Sequence, residues 1–424
     1  MRVRSALNGR WQQVPAGVRD YAAPEAARHS ALAASVRSEF MRWGYAEVRT
    51  PPVEYLETIV RGAGAGIQDH LFKIVDTGGE LLVLRPEMTV PIARLAATRL
   101  LPQAAGPLRL SYVADVFRGQ DEGRTQLRTF TQAGVELLGE GTLDADAEVI
   151  ALAATCLRRA GVPDAVVHVG HLGFLDDLLA ALPVDTQDEI RARLYRKEFA
   201  GIEHAIPDPS LAGLLRLLPD LHGDDAVTRA TPFATSARSR AALADLETLM
   251  ARLRDYGLAD IVRFDLSIIR DFSYYTGVVF EAYGAGSGYP LAGGGRYDTL
   301  LGRFGAECPA TGFALGLDRV LGVLPNNGDV SIAVVLVADP PQRSDAIQVA
   351  TDLRRRGVSV LIFGATAEAP ITAQRNSYRW VVRMTADGIF LQDMRSETQR
   401  LVDRATLIAV LSTSSGDRVS EWTR

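Results

Sequence analysis

The chain has 424 residues, 47% of them apolar and 23% charged, which suits two or three folded domains and excludes a disordered or fibrous protein. Its formal charge is −5, from 46 Lys+Arg against 51 Asp+Glu, so it lacks the basic balance of a dedicated nucleic-acid binder. Lys73 and Lys197 are the only lysines, and nearly all the positive charge is arginine.

Reading along the chain, Met1 to Asn8 carries no apolar signal-peptide core, and no run of 18 apolar residues follows anywhere. Residues 24–43 have Leu32, Val36 and Phe40 at helical spacing, with Gly44 as the stop. Tyr45 to Thr50 alternates as a strand and ends at Pro51-Pro52. Leu81 to Leu84 reads as a buried strand, and Val90 to Leu101 returns to helical spacing. Leu108–Phe117 and Phe130–Leu138 read as two strands of a hairpin around a polar turn at 119–123. Asp144 to Ala160 is a helix with acids in its first turn, where the dipole favours them.

Residues 161–260 are mostly helical in pattern and punctuated by prolines, which predicts an insertion. Strand patterns resume at 261–270 and 276–283, followed by Gly293-Gly294-Gly295, and Thr311 to Leu324 runs from strand to helix. Pro325 to Asp329 is the linker candidate. Beyond it, Ile332–Val337, a helix at 346–356 and Val358–Phe363 form a strand–helix–strand unit, with further strands near 379–384 and 388–393. The expected organisation is a core over 1–325, with the insertion at 161–260, and a small α/β domain over 330–424.

Several chemistries are missing. No HExxH, CxxC pair or EF-hand loop is present, so no metal site and no cofactor is expected. His168 and His171 are close but have no companion ligand in the sequence. Cys156 and Cys308 are far apart, which fits a reducing cytoplasm better than a disulfide framework. The triple glycine has neither a P-loop Lys-Ser/Thr nor a GxGxxG frame, and alone it reads as a tight turn.

Polar residues do concentrate in four segments with strand patterning: Arg85-Pro-Glu-Met-Thr89, Val116-Phe-Arg118 with Gln132 and Glu136, Arg270 to Tyr275, and Gly293-Gly-Gly-Arg-Tyr-Asp298 leading to Arg319. Glu87 and Glu136 stand in apolar contexts, where a carboxylate is costly unless paired or hydrogen-bonded. With Arg118, Arg270 and Arg319 they predict a polar cavity on a sheet.

These segments, in this order, resemble the catalytic core of class II aminoacyl-tRNA synthetases, and specifically histidyl-tRNA synthetases, over about residues 14–325. Val116-Phe-Arg118 is similar to the second class II motif and Gly316-Leu-Asp-Arg319 to the third. Arg270-x-x-x-Tyr274-Tyr275 and Gly294-Gly-Arg-Tyr-Asp298 are similar to the two histidine-specific motifs. The resemblance implies an α+β fold, with an antiparallel sheet flanked by helices. It also implies a histidine pocket of Glu87, Thr89, Gln132, Glu136, Arg270, Tyr274 and Tyr275, with Gly294 and Gly295 as pocket glycines. Acceptors such as Glu87, Thr89 and Gln132 suit an α-ammonium, Glu136 and the tyrosines suit the imidazole nitrogens, and Arg270 suits the carboxylate.

The nucleotide half departs from the synthetase pattern. Gln120 and Gln126 stand where the synthetase motif has glutamate and arginine, which leaves Arg118, Arg128 and Arg319 as a remnant. The tail is also reduced after Phe363, with Pro370 in place of an expected helix and 12 arginines against 10 acids over 331–424. Together with Pro86-Glu-Met-Thr and Asp265-Leu-Ser267, these departures make the chain most similar to the regulatory subunits of ATP phosphoribosyltransferase. That resemblance implies a subunit with no catalytic residues of its own and L-histidine as effector. Its partner would be a short-form catalytic phosphoribosyltransferase, in a hetero-oligomer built on a homodimer, with tRNA and membrane unlikely as partners. Gly62–Gly66 and Gly284–Gly288 are candidate lids over the pocket. An active histidyl-tRNA synthetase is the rival reading.

Overall fold

A computed structural model describes residues 12–119, 127–198, 200–201, 206, 208–269, 274–325, 332–364, 378–394, 396 and 398–412. They fall into two compact units, one within Met1–Asp20 and His29–Leu324, the other within Tyr21–Arg28 and Pro325–Arg424.

The first unit is built on an eight-stranded sheet. Its spatial order is β1 (Ala46–Glu47), β5 (Leu108–Phe117), β6 (Thr129–Leu138), β11 (Ala310–Gly316), β10 (Ala292–Arg296), β9 (Val278–Tyr283), β7 (Val166–His171) and β8 (Val262–Phe264). Pairing is antiparallel except at the two edges, where β1 runs parallel to β5 and β8 to β7. A three-stranded antiparallel sheet, β2 (Val53–Tyr55), β4 (Leu81–Leu84) and β3 (Lys73–Val75), accompanies it.

Strand alternation sends Ala133, Val135 and Leu137 of β6, with Phe313 and Leu315 of β11, into the larger core. There they meet α1 (Glu25–Arg42), α4 (Leu143–Ala160), α5 (Leu172–Leu179) and α9 (Ala237–Asp255). Helix α4 starts on the Thr142 cap with Asp144 and Asp146 in its first turn, and ends with Arg158 and Arg159 before a left-handed Gly161. The other sheet face carries a second core, in which Tyr112 and Val116 pack with residues of α2 (Leu56–Ala63) and α3 (Thr89–Leu95).

Of the stretch 161–260, Val166–His171 is a strand of the large sheet. The α-helices among its other described residues are α5, α6 (Val184–Tyr195), α7 (Pro209–Leu217), α8 (Ala226–Ala230) and α9. The chain then returns through β9, β10 and β11 into α10 (Leu317–Val323).

Local differences from the sequence reading have physical causes. Only Ala46 and Glu47 of Tyr45–Thr50 pair, because β1 is an edge strand that meets β5 at Leu110 and Ser111 alone. In β4 only Val83 is buried, since the small sheet leaves Leu81 exposed. The triple glycine, a tight turn if taken alone, is a buried strand, in keeping with the strand patterning of its segment. Gly62 packs against Val90, so that part of one proposed lid is core. The polar turn at 119–123, the linker at 325–329 and the reduced stretch after Phe363 lie mostly outside the described residues.

The second unit contains a five-stranded sheet in the order β13 (Val360–Gly364), β12 (Ile332–Ala338), β14 (Tyr378–Thr385), β15 (Gly388–Asp393) and β16 (Thr398–Val402). Strand β12 is parallel to both neighbours, with α11 (Arg343–Arg355) as the crossover, and β14 to β16 form an antiparallel meander. Leu407 and Leu411, on a helix at 404–412, complete its core.

Candidate functional site

The centre of the large sheet has a floor with almost no side chains. Register sets Gln132, Gly134 and Glu136 of β6 opposite Gly316, Ala314 and Gly312 of β11, and Gly293 of β10 opposite Ala314. Residues paired in this way share a face. Methyl-sized or absent side chains therefore leave a trough beside Gln132 and Glu136. A cavity occupies it, with Gly293, Gly312 and Ala314 in its lining.

Its walls are polar and deeply buried. Glu136 is 1% exposed, and its Oε1 accepts from Thr89 Oγ1 at 2.8 Å while Oε2 accepts from the Tyr297 hydroxyl. Burial pushes the Glu136 carboxyl up to about 8 against these two donors, and the nearby Glu87 adds to the rise. Glu87, 3% exposed, accepts from the backbone N–H groups of Thr89 at 2.6 Å and Val90 at 2.8 Å. It thereby satisfies two of the first donors of α3, whose N-cap Met88 has no side-chain oxygen to offer. Burial raises the Glu87 carboxyl as well, while its two backbone donors and the Arg118 charge oppose the rise.

Gln132 adds an acceptor: its Oε1 is buried and has no hydrogen-bond partner among the described residues. Tyr274, Tyr275 and Tyr297 complete the enclosure, with ring centroids 4.8 Å apart between Tyr274 and Tyr275 and 5.6 Å between Tyr274 and Tyr297. Two desolvated carboxylates and an orphaned amide oxygen form an acceptor-rich box. A compact cationic donor fits that chemistry.

Six of the seven residues expected in the pocket line this one cavity: Glu87, Thr89, Gln132, Glu136, Tyr274 and Tyr275. The seventh, Arg270, lies outside the described residues, as do Gln120 and Gln126. Arg118 also lines the cavity, and its Nε donates to Pro86 O at 2.8 Å. Arg128 and Arg319 are elsewhere. Arg128 lies over the Phe72 ring at 4.2 Å, and Arg319 donates to Pro290 O at 2.8 Å and lies over Tyr289.

Gly294 pairs with Phe313, so it turns to the opposite sheet face, where a Cβ would collide with Gly312 O. The glycine that lines the cavity is its neighbour Gly293, while a Cβ on Gly295 would meet Val278 O. Tyr297 was missed as a pocket residue. Its position two residues after the triple glycine, within a motif already singled out, is the signal that could have found it. A second, more open groove of about 600 Å³ runs past Arg61, Arg94 and Arg303. Arg61 is paired with Glu57 and Arg94 with Glu54, so these two cations are already answered.

The sequence model of the family described as histidyl-tRNA synthetase matches residues 17–320. An ATP phosphoribosyltransferase regulatory subunit from Moorella thermoacetica is 40% identical over 376 residues, covering 87% of this chain and 96% of the relative. One from Geobacillus kaustophilus is 39% identical over 352 residues, covering 81% and 89%. A solved structure from Bacillus halodurans, described as an ATP phosphoribosyltransferase regulatory subunit/histidyl-tRNA synthetase, superposes with a TM-score of 0.78 at 35% identity, covering 88% of this chain and 97% of that one. The histidyl-tRNA synthetase of Nostoc sp. PCC 7120 shares the fold, with a TM-score of 0.80 at 23% identity, covering 95% and 99%.

Proposed function

Because the chain belongs to the family of ATP phosphoribosyltransferase regulatory subunits, we propose that its sheet cavity binds L-histidine as an effector rather than as a substrate. The observation that carries this reading is the convergence of Glu87, Glu136 and the buried Gln132 oxygen, which has no partner among the described residues, on one glycine-floored trough. An α-ammonium donates to Gln132, Thr89 and Glu87. An imidazole N–H donates to Glu136, and the tyrosine hydroxyls fix its tautomer. Arg270 would hold the carboxylate, as in the resembling family. Amino acids without an imidazole would bring Glu136 no donor beyond Thr89 and Tyr297 and would leave the space beside it unfilled, which is how such a site discriminates.

In this reading the partner is a short-form catalytic ATP phosphoribosyltransferase, which the chain activates in a cytoplasmic hetero-oligomer built on its own homodimer. Histidine inhibits the complex by binding its inactive arrangement more tightly than its active one, since only differential affinity shifts such an equilibrium. Residues 330–424 act as a reduced anticodon-domain relic that does not hold tRNA. Among the described residues no helix is long and apolar enough to cross a membrane, and no His/Cys/Asp/Glu group is arranged to hold a metal.

Titration calorimetry with histidine, followed by histidine-dependent ATP–pyrophosphate exchange, tests the proposal. Binding without exchange, and histidine-sensitive activity on reconstitution with the catalytic subunit, is expected. Arg118 in the cavity lining favours the second reading, a working histidyl-tRNA synthetase. Robust exchange would establish that reading.

A further inference from the structure

Arg296 stands outside the cavity, directly before Tyr297, with its side chain 9% exposed. Its guanidinium reaches four acceptors. Nε donates to Asp146 Oδ2 at 3.0 Å, NH1 to Asp298 Oδ1 at 3.1 Å and Glu140 O at 3.2 Å, and NH2 to Thr142 O at 2.9 Å. These acceptors belong to the loop after β6, the first turn of α4 and the end of β10. The Arg296 backbone carbonyl in turn accepts from Thr276 N at 2.8 Å, and Thr276 Oγ1 accepts from Asp298 N at 3.1 Å. Thr276 directly follows Tyr274 and Tyr275. The two backbone segments that supply the cavity's three tyrosines are thus joined at Arg296.

We infer that Arg296 is a positioning residue of the effector site: its buried pair with Asp146 fixes the backbone from which Tyr297 reaches Glu136 and on which Tyr274 and Tyr275 stand. A planar fork is required, because one ammonium cannot serve four acceptors on three elements. The approach is close: a Cβ on Gly277 would meet the Arg296 side chain at 3.3 Å, so that side chain would have to give by a few tenths of an ångström. The functional weight of this inference rests on the histidine reading above. Its geometry does not.

The test uses the full chain and two readouts. The first is the carboxyl titration of Glu136, followed by carbon-13 NMR in the unliganded protein. The groups around Glu136 there are Glu87, Thr89, Tyr112, Arg118, Tyr274, Tyr275 and Tyr297, so variants are compared at constant composition of that set except for Y297F, the benchmark for losing the tyrosine donor. Arg296→Met is expected to displace the Glu136 midpoint in the same direction as Y297F and to weaken histidine at least tenfold. Arg296→Lys is expected to fall between Arg296→Met and the parent. A folded Arg296→Met protein with the parent midpoint and affinity would overturn the inference. If Arg296→Met does not fold, Asp146→Asn, which keeps an acceptor, is expected to shift the midpoint by a smaller amount, and an unmoved midpoint there overturns it equally. If the parent chain binds no histidine, the histidine reading fails, while the NMR titration still decides the role of Arg296.

Discussion

Gly312 and Glu136 face each other across the pairing of β11 with β6, and the space a Cβ would fill on Gly312 is occupied by the Oε2 of Glu136. The carboxylate therefore lies flat across its neighbour's backbone instead of standing out from the sheet. This is possible only over a glycine.

Gly312→Ala should press its methyl group into the Glu136 carboxylate and Val135 O. Overpacking of this kind costs about 1–3 kcal/mol. A lowered melting temperature and loss of histidine binding by calorimetry are expected. Unchanged affinity would mean the cavity is not where histidine sits.

Glu136 fixes the pH dependence. Its carboxyl is raised from 4.5 to about 8 in the folded protein, so between those values the folded chain holds a proton that the unfolded chain has lost. Stability from this group is therefore present at low pH and declines as pH rises through that window. An imidazole N–H on Glu136 and the α-ammonium charge beside it at Thr89 and Glu87 both favour the carboxylate, so histidine binding near neutral pH should release a proton and tighten toward pH 8. Calorimetry in buffers of different ionisation enthalpy measures the proton. Glu136→Gln should abolish both the release and the stability slope.

Glu87 has two duties that substitution can separate. Glu87→Ala removes the acceptor for the first N–H groups of α3 and should cost about 1 kcal/mol, as lost caps do. It should also abolish histidine sensitivity while leaving assembly with the catalytic subunit intact. Glu87→Gln should keep most of the stability yet lose roughly tenfold or more in affinity, since a bond to a charged acceptor contributes about 1.5–3 kcal/mol. Failure of the Ala variant to assemble would mark Glu87 as structural.

Leu152→Ala supplies the converse case. Leu152 is fully buried on α4 in the core opposite the cavity. Its truncation should cost roughly 2–5 kcal/mol through cavity formation. Chemical denaturation measures that loss, and histidine affinity measured well below the melting temperature should stay at the parent value.

Elements whose side chains carry their own signal were legible in the sequence. The β5–β6 hairpin shows in its alternation, and α4 in the acids of its first turn. The walls of the site were legible too, because Glu87 and Glu136 are conspicuous in apolar surroundings. What could not be read was set by tertiary pairing. Strand β10 is glycine-rich and has few side chains to alternate, so its place in the sheet comes entirely from β9 and β11. Strand β7 shows in the sequence only as a strand-to-loop stretch around His168 and His171, and β16 is an exposed edge with little apolar patterning. The choice between Gly293 and Gly294 as the cavity glycine is a matter of parity. One residue of register reverses it, and register is fixed by partners distant in sequence.

The floor of the site is main chain, and this limits how its ligand range can change. A side chain can be pared back by substitution, but a glycine has nothing left to remove. At Gly134 an added Cβ would overlap Phe313 O and the Tyr112 hydroxyl, just as it would meet Glu136 at Gly312. Every replacement at these glycines makes the trough shallower, and the Ala314 methyl is the one floor side chain that trimming would remove. Beyond that methyl, broader recognition must come from the rim, by reshaping Thr89, Gln132 or Tyr275, while the depth stays at what the sheet itself allows.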